Sequence, residues 1–332
     1  MGGSENLMKL LRSLQLIVPT LCTLGVLALV GPSPSAQTQS NSNNSNSSGN
    51  PGRPVVIPLT IKTKQEAPRG EAELQNIDLT VHEDGEPQTI LSVRGMGTNS
   101  PITIAILIQE DLVPSVSNEI RPIAEFIRSL PKGSRVMTGY LRTGSLQVKQ
   151  KFTGDMEKAA KSLRAPSGFP GTGPYNPYVE VIEALKRFES QPLGRRAILL
   201  VSDGLDVSRG VDSSGPTQSI DLQRAINESQ RRGVAIYGFY APTVSAQGNP
   251  LLTGNAQSSL QRLSDETGGH AFFQGSGVPV SFDPFLKELD VSLQQQAALT
   301  FLSTHPKKGF HRIEVKSSTP GVRISYPTGY VR

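Results

Sequence analysis

The sequence predicts an α/β protein: a doubly wound, mostly parallel sheet joined to a small β-sandwich module built from the N- and C-terminal segments. Three observations predict it. Two nearly continuous apolar runs, 102–108 and 197–201, read as strands covered on both faces. Between Ile102 and Gln296 such strands alternate with helical stretches. Outside that span, both ends of the chain carry shorter β-type patterns divided by Asp-Gly, Lys-Gly and Pro-Gly turns.

Residues 1–36 read as an export signal. Lys9 and Arg12 form a basic start, an apolar stretch runs from Leu14 to Val30, and small residues up to Ala36 offer a cleavage site. The competing reading is an uncleaved membrane anchor, since the stretch is long for a signal and marginal for a span. Cys22, the single cysteine, lies inside this segment. Cleavage would leave no thiol for disulfides, nucleophilic attack or thiolate metal sites. Residues 37–53 are rich in Ser and Asn, have no apolar side chain to bury, and read as a disordered linker.

The folded chain divides into three parts. Residues 54–98 form the N-terminal half of the β module, with strands at 55–61, 77–81 and 89–93 and a hairpin turn at Glu83-Asp84-Gly85-Glu86-Pro87. Residues 297–332 form its C-terminal half, with strands at 297–302, 310–315 and 322–326. The alternative is that each set merely extends the central sheet. Residues 99–296 are the α/β domain. After the first buried strand comes a helix over 116–129, with Ile120, Ile123, Phe126 and Ile127 on one stripe. A hairpin follows around Arg142-Thr143-Gly144, then helices over 155–164 and 178–189, the second buried strand, and a helix over 220–232 ended by Gly233. A strand at 234–240, a long loop at 241–255, a helix at 258–267, a short strand at 271–273 and a helix at 284–296 complete it. Doubly wound sheets bind ligands at the carboxyl ends of their strands.

Three polar groups stand at those ends: Gln109-Glu110-Asp111, Gly171-Thr172, and Ser202-Asp203-Gly204-Leu205-Asp206. The stretch from Arg195 to Gly204, the Gly171-Thr172 pair and Thr267-Gly268-Gly269 before a short strand resemble a von Willebrand factor A domain. The segment from Asn76 to Ile90, NIDLTVHEDGEPQTI, and the tail from Phe310 through Tyr330 are similar to the VWFA-related family common in acidobacteria. In A domains a D-x-S-x-S motif, a threonine and an aspartate hold a divalent cation. The resemblance matches Thr172 and Asp203 to the last two. It sets uncharged Gln109 at the leading aspartate, Asp111 at the first serine and Val113 at the second. Shifting the match by two sets Asp111 at the aspartate and Ser115 at the second serine, with Val113 at the first. Either way the metal motif is degenerate.

The expected function is therefore that of an exported, non-catalytic binding or scaffolding protein. Gln109, Glu110, Asp111, Thr172, Asp203 and Asp206 are its partner face, with no cofactor. The alternative is metal-dependent adhesion, with Asp111, Thr172 and Asp203 holding Mg²⁺ or Mn²⁺. A lesser alternative is an exported hydrolase with Asp203 or Asp111 as general base. The partner is a protein or another envelope or extracellular macromolecule; contact with a membrane is expected only if the first segment stays uncleaved. Nucleic acid is not expected, because the net charge of +5 is thinly spread. The Arg195-Arg196, Arg231-Arg232 and Lys307-Lys308 pairs read as solvated surface. The histidines His82, His270, His305 and His311 read as surface imidazoles. His305 and His311 flank a turn and can face each other, but two histidines without a third ligand fall short of a zinc site.

Overall fold

The computed structural model describes residues 52–62, 74, 76–97, 99–275, 277 and 280–332. The expected export signal, and the linker up to Pro51, lie outside the described residues. Arg53, expected to end the linker, already belongs to a strand.

Along the chain, β1 (Arg53–Lys62), β2 (Leu79–Glu83) and β3 (Glu86–Gly95) come first. Asp84 and Gly85 both take positive φ, 51° and 88°, which is what a two-residue hairpin between β2 and β3 requires. The central domain then runs β4 (Ile102–Gln109), α1 (Ile120–Ser129), β5 (Arg135–Arg142), β6 (Ser145–Thr153), α2 (Met156–Lys161), α3 (Pro177–Lys186), β7 (Arg195–Ser202), α4 (Ile220–Arg232), β8 (Ala235–Tyr240), α5 (Pro250–Glu266), β9 (Ala271–Phe272) and α6 (Asp283–Gln294). The chain closes with β10 (Gln296–Ser303), β11 (Phe310–Ser317), β12 (Arg323–Ser325) and β13 (Gly329–Val331). Among the described residues no helix is long and apolar enough to cross a membrane.

The central sheet has the order β6-β5-β4-β7-β8-β9; β6 is antiparallel to β5 and the other pairs are parallel. Every residue of β4 and β7 is buried. Alternate side chains of β4 explain this. Ile104, Ile106 and Ile108 join a core with α1, α2 and α6, while Ala105 and Leu107 join another with α3, α4 and α5. Polar side chains set the helix starts. Asp155, Asn176 and Ser219 accept from Lys158 N, Tyr178 N and Leu222 N at 2.9, 3.0 and 3.1 Å. Gly233, at φ 60°, ends α4 in the left-handed conformation.

Two expectations are corrected here. The predicted loop 241–255 and helix 258–267 become a shorter loop and a 17-residue helix, α5. Asn249 caps it, accepting from Leu251 N and Leu252 N at 3.1 and 3.2 Å, with Pro250 in the first turn. The polar Thr253-Gly254-Asn255 hides this start, yet Leu252 and Ala256 are buried against the core. Second, Arg195 and Arg196 are not solvated: each is 8 % exposed. Arg196 donates to the carbonyls of Gln191, Pro192 and Arg232 at 2.6, 3.0 and 3.1 Å.

The terminal strands form one seven-stranded sheet, β12-β1-β10-β3-β2-β11-β13, in place of the predicted two-sheet sandwich. The reason is interleaving. C-terminal β10 pairs with β1 on one side and β3 on the other, so the two ends of the chain share a single ladder. The sheet curls around one core containing Ile57, Leu59, Val81, Phe301, Ile313 and Val315, and β12 comes against β11 across it. This sheet meets the central one at the amino ends of its strands. Arg195, the first residue of β7, donates to Gln296 Oε1 (3.0 Å), Ser100 O (2.7 Å) and Leu293 O. The carboxyl ends of the parallel strands therefore lie away from the terminal sheet.

Candidate functional site

At those carboxyl ends the central residue is Gln109, the last of β4 and 1 % exposed. Its Nε2 donates to Asp111 Oδ1 at 2.9 Å. Its Oε1 accepts from Ser202 Oγ at 2.6 Å and Asp203 N at 3.3 Å. One neutral amide thus joins the ends of β4 and β7. Such a bridge needs a donor and an acceptor on the same side chain, which a carboxylate lacks. Asp203 Oδ1 accepts from Leu205 N at 3.1 Å, and Ser202 Oγ accepts from Gly204 N at 2.9 Å. The turn after β7 is held by these two side chains. Gly204 sits there at φ 68°, with a Cβ position only 2.5 Å from Leu260 Cγ.

Asp111 and Asp203 are 9 % and 5 % exposed. Burial pushes the Asp203 carboxyl up to about 7; the Leu205 N–H pulls it back and nearby Asp111 pushes it up further. Burial likewise raises Asp111, against the hydrogen bond from Gln109 and with help from Glu110. Gly173 covers Asp111 so closely that a Cβ there would lie 1.8 Å from Oδ1, so only glycine fits without a shift.

The other predicted residues do different work. Thr172 donates its hydroxyl to Phe169 O at 2.6 Å and lies 2.8 Å from Ser167 Oγ; no hydrogen bond links it to Asp111 or Asp203. Glu110, expected on the partner face, is 3 % exposed and pairs with Arg164 Nη2 at 2.7 Å. The Arg164 guanidinium lies 4.2 Å above the Tyr140 ring, whose hydroxyl donates to Arg164 O. Asp206 holds the next loop, accepting from Ser208 N (3.1 Å), Ser208 Oγ (2.6 Å) and Ser219 Oγ (2.6 Å). Glu110 and Asp206 thus serve the scaffold under the face.

Around these buried polar groups the loops raise apolar side chains that the sequence reading does not single out. Phe169 is 69 % exposed and Tyr175 64 %, on the loop that carries Thr172. Val211 and Val244, on the loops after β7 and β8, are also exposed. That loop is pinned to the same edge: Gly168 N donates to Glu110 O at 3.0 Å and Val207 N to Tyr175 O at 2.8 Å. An isolated bridge between Leu112 and Thr243 fixes the loop after β8. A glycine-rich segment with two aromatics and no buried partner for them is the signal that was available in the sequence.

No family model matches the chain, and no curated protein matches it. Solved structures with some likeness include an aerotolerance-related membrane protein from Bacteroides fragilis (14 % identity, TM-score 0.41, 58 % of this chain and 99 % of that one). Another is BatB from Bacteroides thetaiotaomicron (15 % identity, TM-score 0.42, 58 % and 98 %). A third is the VWA domain of SpRpn10 (14 % identity, TM-score 0.35, 58 % and 93 %). At these TM-scores the likeness carries neither family nor function.

Proposed function

We propose that this is an exported binding or scaffolding protein of the cell envelope or exterior. Its central domain is read as a doubly wound A-type domain with a degenerate metal motif, which holds a macromolecular partner through its strand-end face without metal. The observation that carries this reading is the Gln109 amide. It engages Asp111 Oδ1, Ser202 Oγ and Asp203 N together, so the positions that would anchor a cation are joined by internal hydrogen bonds. Thr172 spends its hydroxyl within its own loop. Around this rigid floor stand Phe169 and Tyr175, side chains of the size and type that anchor interfaces. A hydrolase would need a hydroxyl aimed at Asp111 or Asp203. Ser202, the hydroxyl between the two strand ends, donates to Gln109 instead. Export rests on the basic and apolar pattern of the first segment.

Metal-dependent adhesion is the second reading, favoured by one observation: the buried Asp111 carboxylate pushes the Asp203 carboxyl upward, and a cation between them would relieve that repulsion. Two measurements separate these readings. The first is cross-linking and affinity capture from envelope extract by the wild-type protein, a Phe169→Ser/Tyr175→Ser double variant, and Leu193→Ser as a control; Leu193 is 90 % exposed. A partner held by the wild type and the control but lost by the double variant supports the face. A partner retained by the double variant, or none with the wild type, overturns it. The second is a thermal melt with millimolar Mg²⁺ or Mn²⁺ in an Asp111→Asn/Asp203→Asn background and in the wild type. The expected wild-type shift from this face is nil, and a shift that the double variant abolishes would establish the adhesion reading.

A further inference from the structure

Among the described residues, a group of potential metal donors lies in the terminal sheet, where the β2–β3 hairpin meets the β10–β11 connection. Glu83, the last residue of β2, is 0 % exposed. Its Oε1 accepts from Tyr330 OH at 2.5 Å and Ser303 Oγ at 3.0 Å. Its Oε2 is buried and accepts no hydrogen bond. The nearest base to that oxygen is His305 Nδ1 at 3.2 Å, itself buried and without a hydrogen bond. A fully buried carboxylate oxygen beside an imidazole nitrogen is costly unless a proton or a cation joins them.

His311 turns its Nδ1 towards the same carboxylate, but this nitrogen already has a partner. Its Nε2 lies 2.9 Å from Lys307 O, and a carbonyl only accepts, so Nε2 carries hydrogen. Its Nδ1 lies 2.8 Å from Asp84 Oδ2, and a carboxylate too only accepts, so Nδ1 also carries hydrogen; Glu83 Oε1 is 3.4 Å away. His305 is turned the same way, with its outer Nε2 3.6 Å from Glu86 Oε2. Both rings therefore set an outer nitrogen towards an oxygen and an inner Nδ1 towards Glu83. For His311, whose outer nitrogen is hydrogen-bonded, orientation of this kind is how proteins fix metal-ligating histidines; the outer nitrogen of His305 is too far from Glu86 for such a bond.

We propose that Glu83 Oε2, Asp84 Oδ2, His305 Nδ1 and His311 Nδ1 form a zinc site. Two imidazoles with two carboxylates suit Zn²⁺ far better than Mg²⁺ or Ca²⁺, which take oxygen ligands. The spacing agrees. In a tetrahedron with bonds of about 2.0–2.1 Å, adjacent donors stand about 3.3 Å apart, close to the 3.2 Å between Glu83 Oε2 and His305 Nδ1. One donor atom each from Glu83, Asp84 and His311 lie within 4.8 Å of one another. For four ligands to meet, the Asp84–His311 hydrogen bond must open and His305, which lies outside that group of three, must turn in; Asp84 is at the tip of an exposed hairpin. Where His311 is protonated, Zn²⁺ displaces its Nδ1 proton to solvent. Tyr330 and Ser303 hold the carboxylate from behind, as outer-shell partners. Four protein ligands leave no open position, so the site is structural and clamps the hairpin to the loop at 304–309.

The test is titration of chelator-treated full-length protein with ZnCl₂ against a chromophoric competitor, with a parallel thermal melt. A single zinc ion per chain, a raised Tm, and no such rise with MgCl₂ are expected. His305→Ala leaves the Tyr330 and Ser303 bonds to Glu83 in place. It should weaken binding by more than the roughly 10- to 100-fold that loss of an outer-shell partner costs. Asp111→Asn/Asp203→Asn, at the other end of the molecule, should bind zinc as the wild type does. Cobalt substitution gives an independent reading, with strong visible bands expected of a tetrahedral site. A wild type that fails to compete for zinc, a His305→Ala variant that binds equally well, or a cobalt form without those bands would each overturn the proposal.

Discussion

At the strand ends of the central sheet, Gln109 sets an amide beside Asp111 and Asp203; at the hairpin end of the terminal sheet, Glu83 and Asp84 meet two imidazoles. Both places bury carboxylates, and they resolve the cost by different means. In the first, donors and acceptors on one neutral side chain close the group, and burial shifts Asp203 towards its protonated form. In the second, Glu83 Oε2 and His305 Nδ1 make no hydrogen bond although they lie 3.2 Å apart, while Lys307 O holds the outer nitrogen of His311. Acidic character alone does not make a cation site. What matters is which lone pairs remain uncommitted after the local hydrogen bonds are drawn.

The largest expected effect concerns the junction between the two regions. Arg195→Met keeps much of the apolar stem but leaves Gln296 Oε1, Ser100 O and Leu293 O without their donor. At about 1–3 kcal/mol for each buried group left unsatisfied, partly relieved by relaxation, the loss should be about 3–5 kcal/mol. The measurement is the midpoint of urea unfolding. Zinc affinity should not change, because the cluster contains no Arg195 contact. A variant as stable as the wild type would mean that the junction is held by other contacts.

A smaller effect should separate the two regions by pH. The Asp203 carboxyl is raised to about 7 when folded, above its unfolded value near 4. The folded form therefore binds the proton more tightly, and that stabilisation is present at pH 4 and lost as pH rises towards 7. Above pH 7 the full cost of holding the carboxylate remains, on the order of 4 kcal/mol. Asp203→Asn keeps an acceptor for Leu205 N and cannot ionise. Its stability should fall less between pH 4 and 8, so the gap in its favour should widen with pH. Parallel stability curves for variant and wild type would count against a strained carboxyl at this face.

The two regions also differ in how far the sequence disclosed them. The apolar runs of β4 and β7 and the helix stripes are local signals, and they located the central elements without help from distant contacts. The strand ends followed from topology, so Gln109, Asp111 and Asp203 come together at one edge. Which groups bond within that edge was not legible: Thr172 turns to Phe169 O, and Glu110 turns to Arg164, a partner 54 residues on. The Arg195-Arg196 pair looked solvated because nothing in its neighbourhood reveals that β10 and the loop before β7 bring carbonyls to it. The His305–His311 pair looked short of ligands for the same reason. Its carboxylates come from Asp84, 227 positions from His311, and from Glu83 beside it. Long-range pairing of β2 with β11 creates that site, and no spacing rule within one segment can show it.

The smallest expected effect is also the sharpest test of what Gln109 does. Gln109→Asp removes the amide donor to Asp111 and sets a third carboxylate beside Asp111 and Asp203. Without a divalent cation the variant should be less stable than the wild type, because like charges now share a buried edge and the acceptor for Ser202 is displaced. With Mg²⁺ it should recover, since hard oxygen donors now converge without the amide between them. At a cation concentration about ten times Kd the recovery is about 1.4 kcal/mol, read as a rise in Tm that the wild type does not show. If wild type and variant respond equally to Mg²⁺, the amide is not what closes the face to cations, and the contrast with the zinc cluster would have to rest on the imidazoles alone.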